Sequence, residues 1–182
     1  MNLPNLGALV ALGITCLPSC KTTVQRKTIY MSTSTRNETA LSNQIFRRVN
    51  VYRHDRSKQE LIRHTGLTML ALEHARYLLR SRGTSEKDAN HNGFGVRAMK
   101  AQYSMGFSQV AENVVCCRGG SGSTYVRLWS HSPAHEKTMR SDVYQYTGIG
   151  TVVDQDGMVF SVQLFATRAM ANNFMSQPTS GF

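Results

Sequence analysis

Apolar residues recur at helical spacing through the first half of the chain, and β-rich runs replace them near its end. Leu41, Ile45, Val49 and Tyr52 share one face, with Arg47, Arg48 and Arg53 between them. That spacing predicts an amphipathic helix over about 39–54. A second helix is predicted from about Thr68 to Ser81. Leu70, Ala71, Ala75 and Leu78 form its buried stripe, and Gly83 stops it. Residues 84–109 are polar and punctuated by Gly93, Gly95 and Gly106, and no helix is predicted there. A third helix, about Ser123 to His131, presents Val126, Leu128 and Trp129. In Ser132-Pro133-Ala134-His135-Glu136 the serine suits an N-cap and the proline the first helical position, where its missing N–H costs nothing. Tyr146–Val153 and Met158–Ala166 are β-rich and flank Asp154-Gln155-Asp156-Gly157, a hairpin signal. Helices followed by a hairpin predict an α+β domain over residues 40–170.

The ends differ from this domain. Residues 1–19 carry no charged side chain, and Leu6 to Leu17 is an apolar, Gly-containing run. Its length suits the core of a secretory signal and is too short to span a membrane. Leu17-Pro18-Ser19-Cys20 resembles a bacterial lipobox, in which cleavage exposes a cysteine that carries acyl chains. The expectation is a lipoprotein-type signal peptide over 1–19 and lipidation at Cys20. Residues 20–39 are polar and lack a period, and are read as a tether; residues 171–182 are read as a tail.

Composition narrows the class. The 182 residues suffice for one domain with a core. With 41% hydrophobic and 18% charged residues, a chain disordered throughout is excluded. Internal apolar runs fall short of the roughly 18 residues of a spanning helix, which excludes a polytopic membrane protein. Four cysteines are too few for a disulfide-held miniature scaffold.

Three polar residues sit where polarity needs a reason. Glu112 lies inside the apolar run Val110-Ala111-Glu112-Asn113-Val114-Val115. A carboxylate there either faces outward or is buried with a partner, because an unpaired buried charge is costly. His91 heads His91-Asn92-Gly93-Phe94, where glycine lets the backbone turn. His135 starts a helix, where the dipole disfavours imidazolium. A neutral imidazole is the form that binds a metal or accepts a proton.

These stretches also carry a resemblance. Asn50-x-x-Arg53, Leu72-Glu73-His74-Ala75, His91-Asn92-Gly93-Phe94, Ala111-Glu112-Asn113, Trp129-x-x-Ser132-Pro133-Ala134-His135 and Tyr146-x-Gly148-Ile149-Gly150 resemble, in this order, the motifs of the CAP superfamily (cysteine-rich secretory proteins, antigen 5, pathogenesis-related proteins). The short spacing from Trp129 to His135 is similar to the bacterial SCP-like branch. The resemblance implies an α-β-α sandwich with a C-terminal hairpin and a shallow cleft. It matches His91 and His135 to the family's two cleft histidines and Glu112 to its Glu-Asn glutamate. The family's second glutamate falls on Ser132, and the helix after His135 departs from the bacterial pattern.

Two histidines and a carboxylate suit Zn²⁺ or a similar divalent ion with an open position for water. The expectation is an exported protein of the bacterial envelope, lipid-anchored or extracellular. It binds through a cleft of His91, Glu112 and His135 that can hold a metal, and a small ligand or lipid is a further candidate for the cleft. The alternative is a metal-assisted hydrolase, a peptidase or esterase, using the same residues as catalytic groups.

Blander readings cover the rest. His54 and His64 are read as surface, His74 as packing or helix hydrogen bonding, and Trp129 as core. His131 lies near enough to intrude on the cleft. Cys116 and Cys117 are too close for an unstrained disulfide, and are read as two thiols, one buried and one exposed. Gly119–Ser123 lacks the lysine of a phosphate-binding loop and is read as a flexible cleft edge.

The formal net charge is +10. Nine basic residues fall between Arg47 and Arg82, against Asp55, Glu60 and Glu73. Together with export, this points to an anionic envelope surface or lipid as partner, and no nucleic acid is expected.

Overall fold

The computed structural model describes residues 33–82 and 89–168. The signal segment 1–19, Cys20, most of the tether, Gly83 and the tail 171–182 lie outside the described residues. Helix α1 (Thr33–His54) starts earlier than predicted and takes in residues 33–39, which the sequence assigned to the tether. Strand β1 (Ile62–Arg63) leads to α2 (Thr65–Ser81), then α3 (Phe94–Met105), β2 (Phe107–Arg118), α4 (Gly122–Ser130), α5 (Pro133–Arg140), β3 (Tyr146–Val153) and β4 (Met158–Arg168). None of the described helices is long and apolar enough to cross a membrane.

The sheet runs β1-β3-β4-β2, with β3–β4 and β4–β2 antiparallel and β1–β3 parallel. It is buried on both faces. Val114, Val152, Phe160, Val162 and Leu164 pack with Leu67, Ala71, Ala75 and Leu78 of α2. Val115, Ile149, Val159 and Phe165 pack on the other face with Ile45 and Val49 of α1, Val126 and Trp129 of α4 and Met139 of α5. Two helical layers therefore enclose one sheet, the α-β-α sandwich that the resemblance implied.

Close approach sets the α2–sheet spacing. Gly148 and Gly150 of β3 face α2, and a Cβ at either would lie 2.1 Å from a backbone nitrogen, of Thr68 or Leu72 respectively. Glycine is required there by space.

The other layer is anchored by the Asn50-x-x-Arg53 motif. Asn50 exchanges two hydrogen bonds with the backbone of Leu61. The buried Arg53 guanidinium donates to the carbonyls of Gln59, Met139 and Ser141 at 2.7–2.9 Å, tying the end of α1 to the end of α5.

Two readings of single residues change. His64 is half-buried rather than on the surface. Its Nδ1 accepts from Leu67 N–H at the start of α2, and its ring meets Phe107 edge-on at 5.0 Å. Cys116 and Cys117 are thiols as expected, but both are half-buried. They project to opposite faces of a strand whose two faces are covered, Cys116 against the α2 side and Cys117 against the α1 side.

Replacing Gly150 by alanine is expected to lower stability by about 3 kcal/mol or more, because backbone rather than a movable side chain blocks the new methyl. Gly157→Ala, with φ +81° but open space around it, is expected to cost about 1–2 kcal/mol. Urea unfolding of both variants checks this ranking, and equal losses would refute it.

Candidate functional site

The site forms at the β2 edge of the sheet. From Val110 on, past a register shift at Phe107/Gln109, even-numbered residues of β2 face the α2–α3 layer and odd-numbered ones the α1–α4–α5 layer. Glu112 therefore points to one layer and the adjacent Asn113 to the other.

The Glu112 side chain is 1% exposed. Arg97 of α3 meets it in a fork. Nε donates to Oε2 at 2.7 Å and Nη2 to Oε1 at 2.8 Å. The third donor, Nη1, goes to the carbonyl of Asn92 at 2.7 Å. Gly93, with φ +72°, caps α3, and a Cβ there would press on Nη1 at 3.3 Å. Glycine in His91-Asn92-Gly93-Phe94 thus both turns the chain and makes room for the guanidinium.

His91 Nδ1 lies 2.9 Å from Glu112 Oε1. A carboxylate only accepts, so Nδ1 carries a proton and donates it to Oε1. The His91 side chain is 49% exposed. His74, buried behind it, donates from Nε2 to the Asn90 carbonyl at 2.8 Å. Its nitrogen is 3.9 Å from Glu112, beyond hydrogen-bond reach.

His135 arrives from the other layer. Asn113 Nδ2 donates to its carbonyl at 3.0 Å, and Tyr52 of α1 donates to Glu136 Oε1 at 3.0 Å. Ser132 stands at the N-cap of α5 as predicted, though its side chain makes no capping bond. The rings of His91 and His135 are 6.3 Å apart between centroids and tilted by 55°. His131 stays out of this group. It is exposed, and its Nδ1 bonds the Arg127 carbonyl at 2.7 Å.

Electrostatics follow from these contacts. Burial pushes the Glu112 carboxyl up, but the hydrogen bonds from His91 and Arg97 and the guanidinium charge outweigh it and hold the pKa below the usual carboxylate range. Burial, and secondly the neighbouring His91, lower the His135 pKa. Burial also lowers that of His74.

Sequence comparison offers no family model and no curated protein that matches the chain. Comparison of folds does. An outer surface protein from Borrelia burgdorferi superposes with a TM-score of 0.60 at 20% identity, over 74% of this chain and 96% of that one. An extracellular protein containing an SCP domain from Bacillus anthracis gives 0.59 at 20% identity, over 77% of this chain and 45% of that one. The fold is that of the CAP superfamily. A cysteine-rich secretory protein from Staphylococcus aureus gives 0.52 at 15% identity, over 71% of this chain and 38% of that one. The chain thus spans less than half of the last two proteins, and nearly all of the first.

On this CAP fold His91, Glu112 and His135 do converge, as the resemblance implied. As three ligands of one metal they do not fit. Among the described residues no group of three or more His, Cys, Asp or Glu is arranged to hold an ion. Arg97 already donates to both carboxylate oxygens. Glu112 instead fixes the proton of His91. No sequence motif singled out Arg97; the rule that a buried carboxylate needs a partner called for such a residue but could not name it.

Arg97→Ala leaves Glu112 buried without its cation and is expected to cost about 3–5 kcal/mol. Acid should weaken the native chain in two steps. His74 and His135 have depressed pKa values, so stability falls as pH drops below about 6.5, where the unfolded rings take up protons. Glu112, also depressed, contributes stability above about pH 4.3 that is lost as pH falls through its native value. Urea unfolding from neutral pH downward measures this; stability rising between pH 7 and pH 5 would contradict it.

Proposed function

We propose that this is an exported binding protein of the bacterial envelope, working through the cleft that His91 and His135 form over Glu112. The observation that carries this reading is the fork between Arg97 and Glu112, which uses both oxygens of the carboxylate. A carboxylate held in that way is a poor general base and a poor metal ligand. The cleft then offers two imidazoles as its binding groups, the exposed His91 and the half-buried His135.

The alternative, a metal-assisted hydrolase, would need Glu112 or another group to activate water, and Glu112 is held by Arg97. A divalent ion still has a reasonable pair of donors in His91 and His135. Glu112 behind His91 is the outer partner that commonly orients a metal-binding imidazole. Such an ion would supply a Lewis acid for gripping an anionic or carbonyl group of a ligand.

Export is supported by the uncharged segment 1–19 and by fold neighbours described as outer surface or extracellular proteins. Anchoring through acylated Cys20 rests on the lipobox-like Leu17-Pro18-Ser19-Cys20. The partner best suited to the positive charge is an anionic envelope surface or lipid.

Calorimetric titration of the purified domain with Zn²⁺ tests the cleft. Micromolar or tighter binding is expected, weakened about tenfold or more by His91→Ala or His135→Ala and unchanged by His54→Ala on the exposed end of α1. Absence of heat, or equal binding by all variants, would sink the metal. Turnover of peptide or ester substrates that disappears in His135→Ala would favour the hydrolase instead.

A further inference from the structure

The basic residues clustered between Arg47 and Arg82 do not form one surface. Arg53 is buried and bonded to three carbonyls. Arg82 is held by Asp154 and Asp156, and Lys58 by Asp142. Arg63 donates to Asn43 and lies over the Phe46 ring, while Arg56 lies over Tyr52. Arg47 and Arg48 of α1 make none of these contacts; nor do Arg76 and Arg80 of α2, which border a separate hollow that also holds Glu73. Among the described residues no carboxylate comes within ion-pair distance of Arg47 or Arg48, nor of Arg127 on α4.

These three arginines line one groove. It consists of two adjoining hollows between α1 and α4, of about 340 and 260 Å³, which share Arg48, Val51 and Ser123. Arg47 and Ser121 border the first and Arg127 the second. Asp55 is the sole carboxylate lining either hollow. The walls are held close, since a Cβ on Gly122 would meet the Gln44 backbone carbon at 2.6 Å.

We infer that this groove binds a linear polyanion that carries phosphate groups along its length, through Arg47, Arg48 and Arg127. Guanidinium forks match phosphate oxygens in pairs, and unpaired cations in a concavity concentrate anions more strongly than the same cations on a convex face. Successive arginines along two joined hollows suit a chain better than one isolated phosphate. The deeper hollow, bordered by Arg47 and Arg48, also suits a chain better than a flat lipid surface. The site shares no residue with the His91–Glu112–His135 cleft, so it stands or falls apart from the reading of that cleft.

The test is fluorescence titration of the full chain with linear inorganic polyphosphate, with orthophosphate and vesicles of phosphatidylglycerol and phosphatidylcholine as separate arms. Polyphosphate is expected to bind, with affinity falling roughly 20-fold between about 50 and 200 mM salt if three phosphates are neutralised. The double variant Arg47→Glu/Arg48→Glu, at exposed positions and checked for folding by circular dichroism, should lose at least about tenfold. Arg76→Glu/Arg80→Glu on α2 makes the same charge change elsewhere and should lose less than about threefold. Orthophosphate at equal phosphate concentration should compete poorly. Absence of polyphosphate binding, equal loss in both double variants, full competition by orthophosphate, or preference for the vesicles would each overturn the inference.

Discussion

The Arg97–Glu112 fork is the contact on which the rest of the site depends. A carboxylate buried in the middle of a strand loses its hydration on folding, and its charge persists only if another charge and enough donors replace the water. Arg97 supplies both, with two N–H groups to the carboxylate and the third nitrogen to Asn92. The same contact ties α3 to the edge of the sheet. It also decides what Glu112 can do. With both oxygens accepting from Arg97, and one also from His91, the residue orients an imidazole instead of working as a base.

The edge position of β2 explains how two separate layers bring His91 and His135 together. His91 comes from the layer of α2 and α3, where Glu112 points. His135 comes from the opposite layer, where Asn113 points and bonds its carbonyl. Its helix is fixed at one end by Tyr52 through Glu136 and at the other by Arg53 through the carbonyls of Met139 and Ser141. Neither layer alone carries both histidines, so the ring separation reports the packing of the whole sandwich.

Much of this was legible in the sequence, for identifiable reasons. Helices α1, α2 and α4 bury continuous stripes, and the strands of the β3–β4 hairpin flank a turn with Gly157 at positive φ. Helix α3 was missed because it buries only Arg97 and Ala101, so no apolar stripe marks it. Two of the glycines that punctuate residues 84–109, Gly93 and Gly106, are its caps. Strand β2 shows no alternation because the sheet is covered on both sides, which is also why neither Cys116 nor Cys117 is exposed. The convergence of His91, Glu112 and His135 came from ordered motifs. The role of Glu112 did not, since it depends on a cation placed by the unseen helix.

The most direct measurement of this account is the titration of the Glu112 carboxyl carbon, followed by ¹³C NMR from neutral pH into acid. The fork with Arg97 and the His91 hydrogen bond predict a midpoint below the ordinary glutamate value of about 4.3. A midpoint above that value would mean that burial prevails over the guanidinium, leaving Glu112 able to take up a proton near neutrality and contradicting the account of a cleft built to bind.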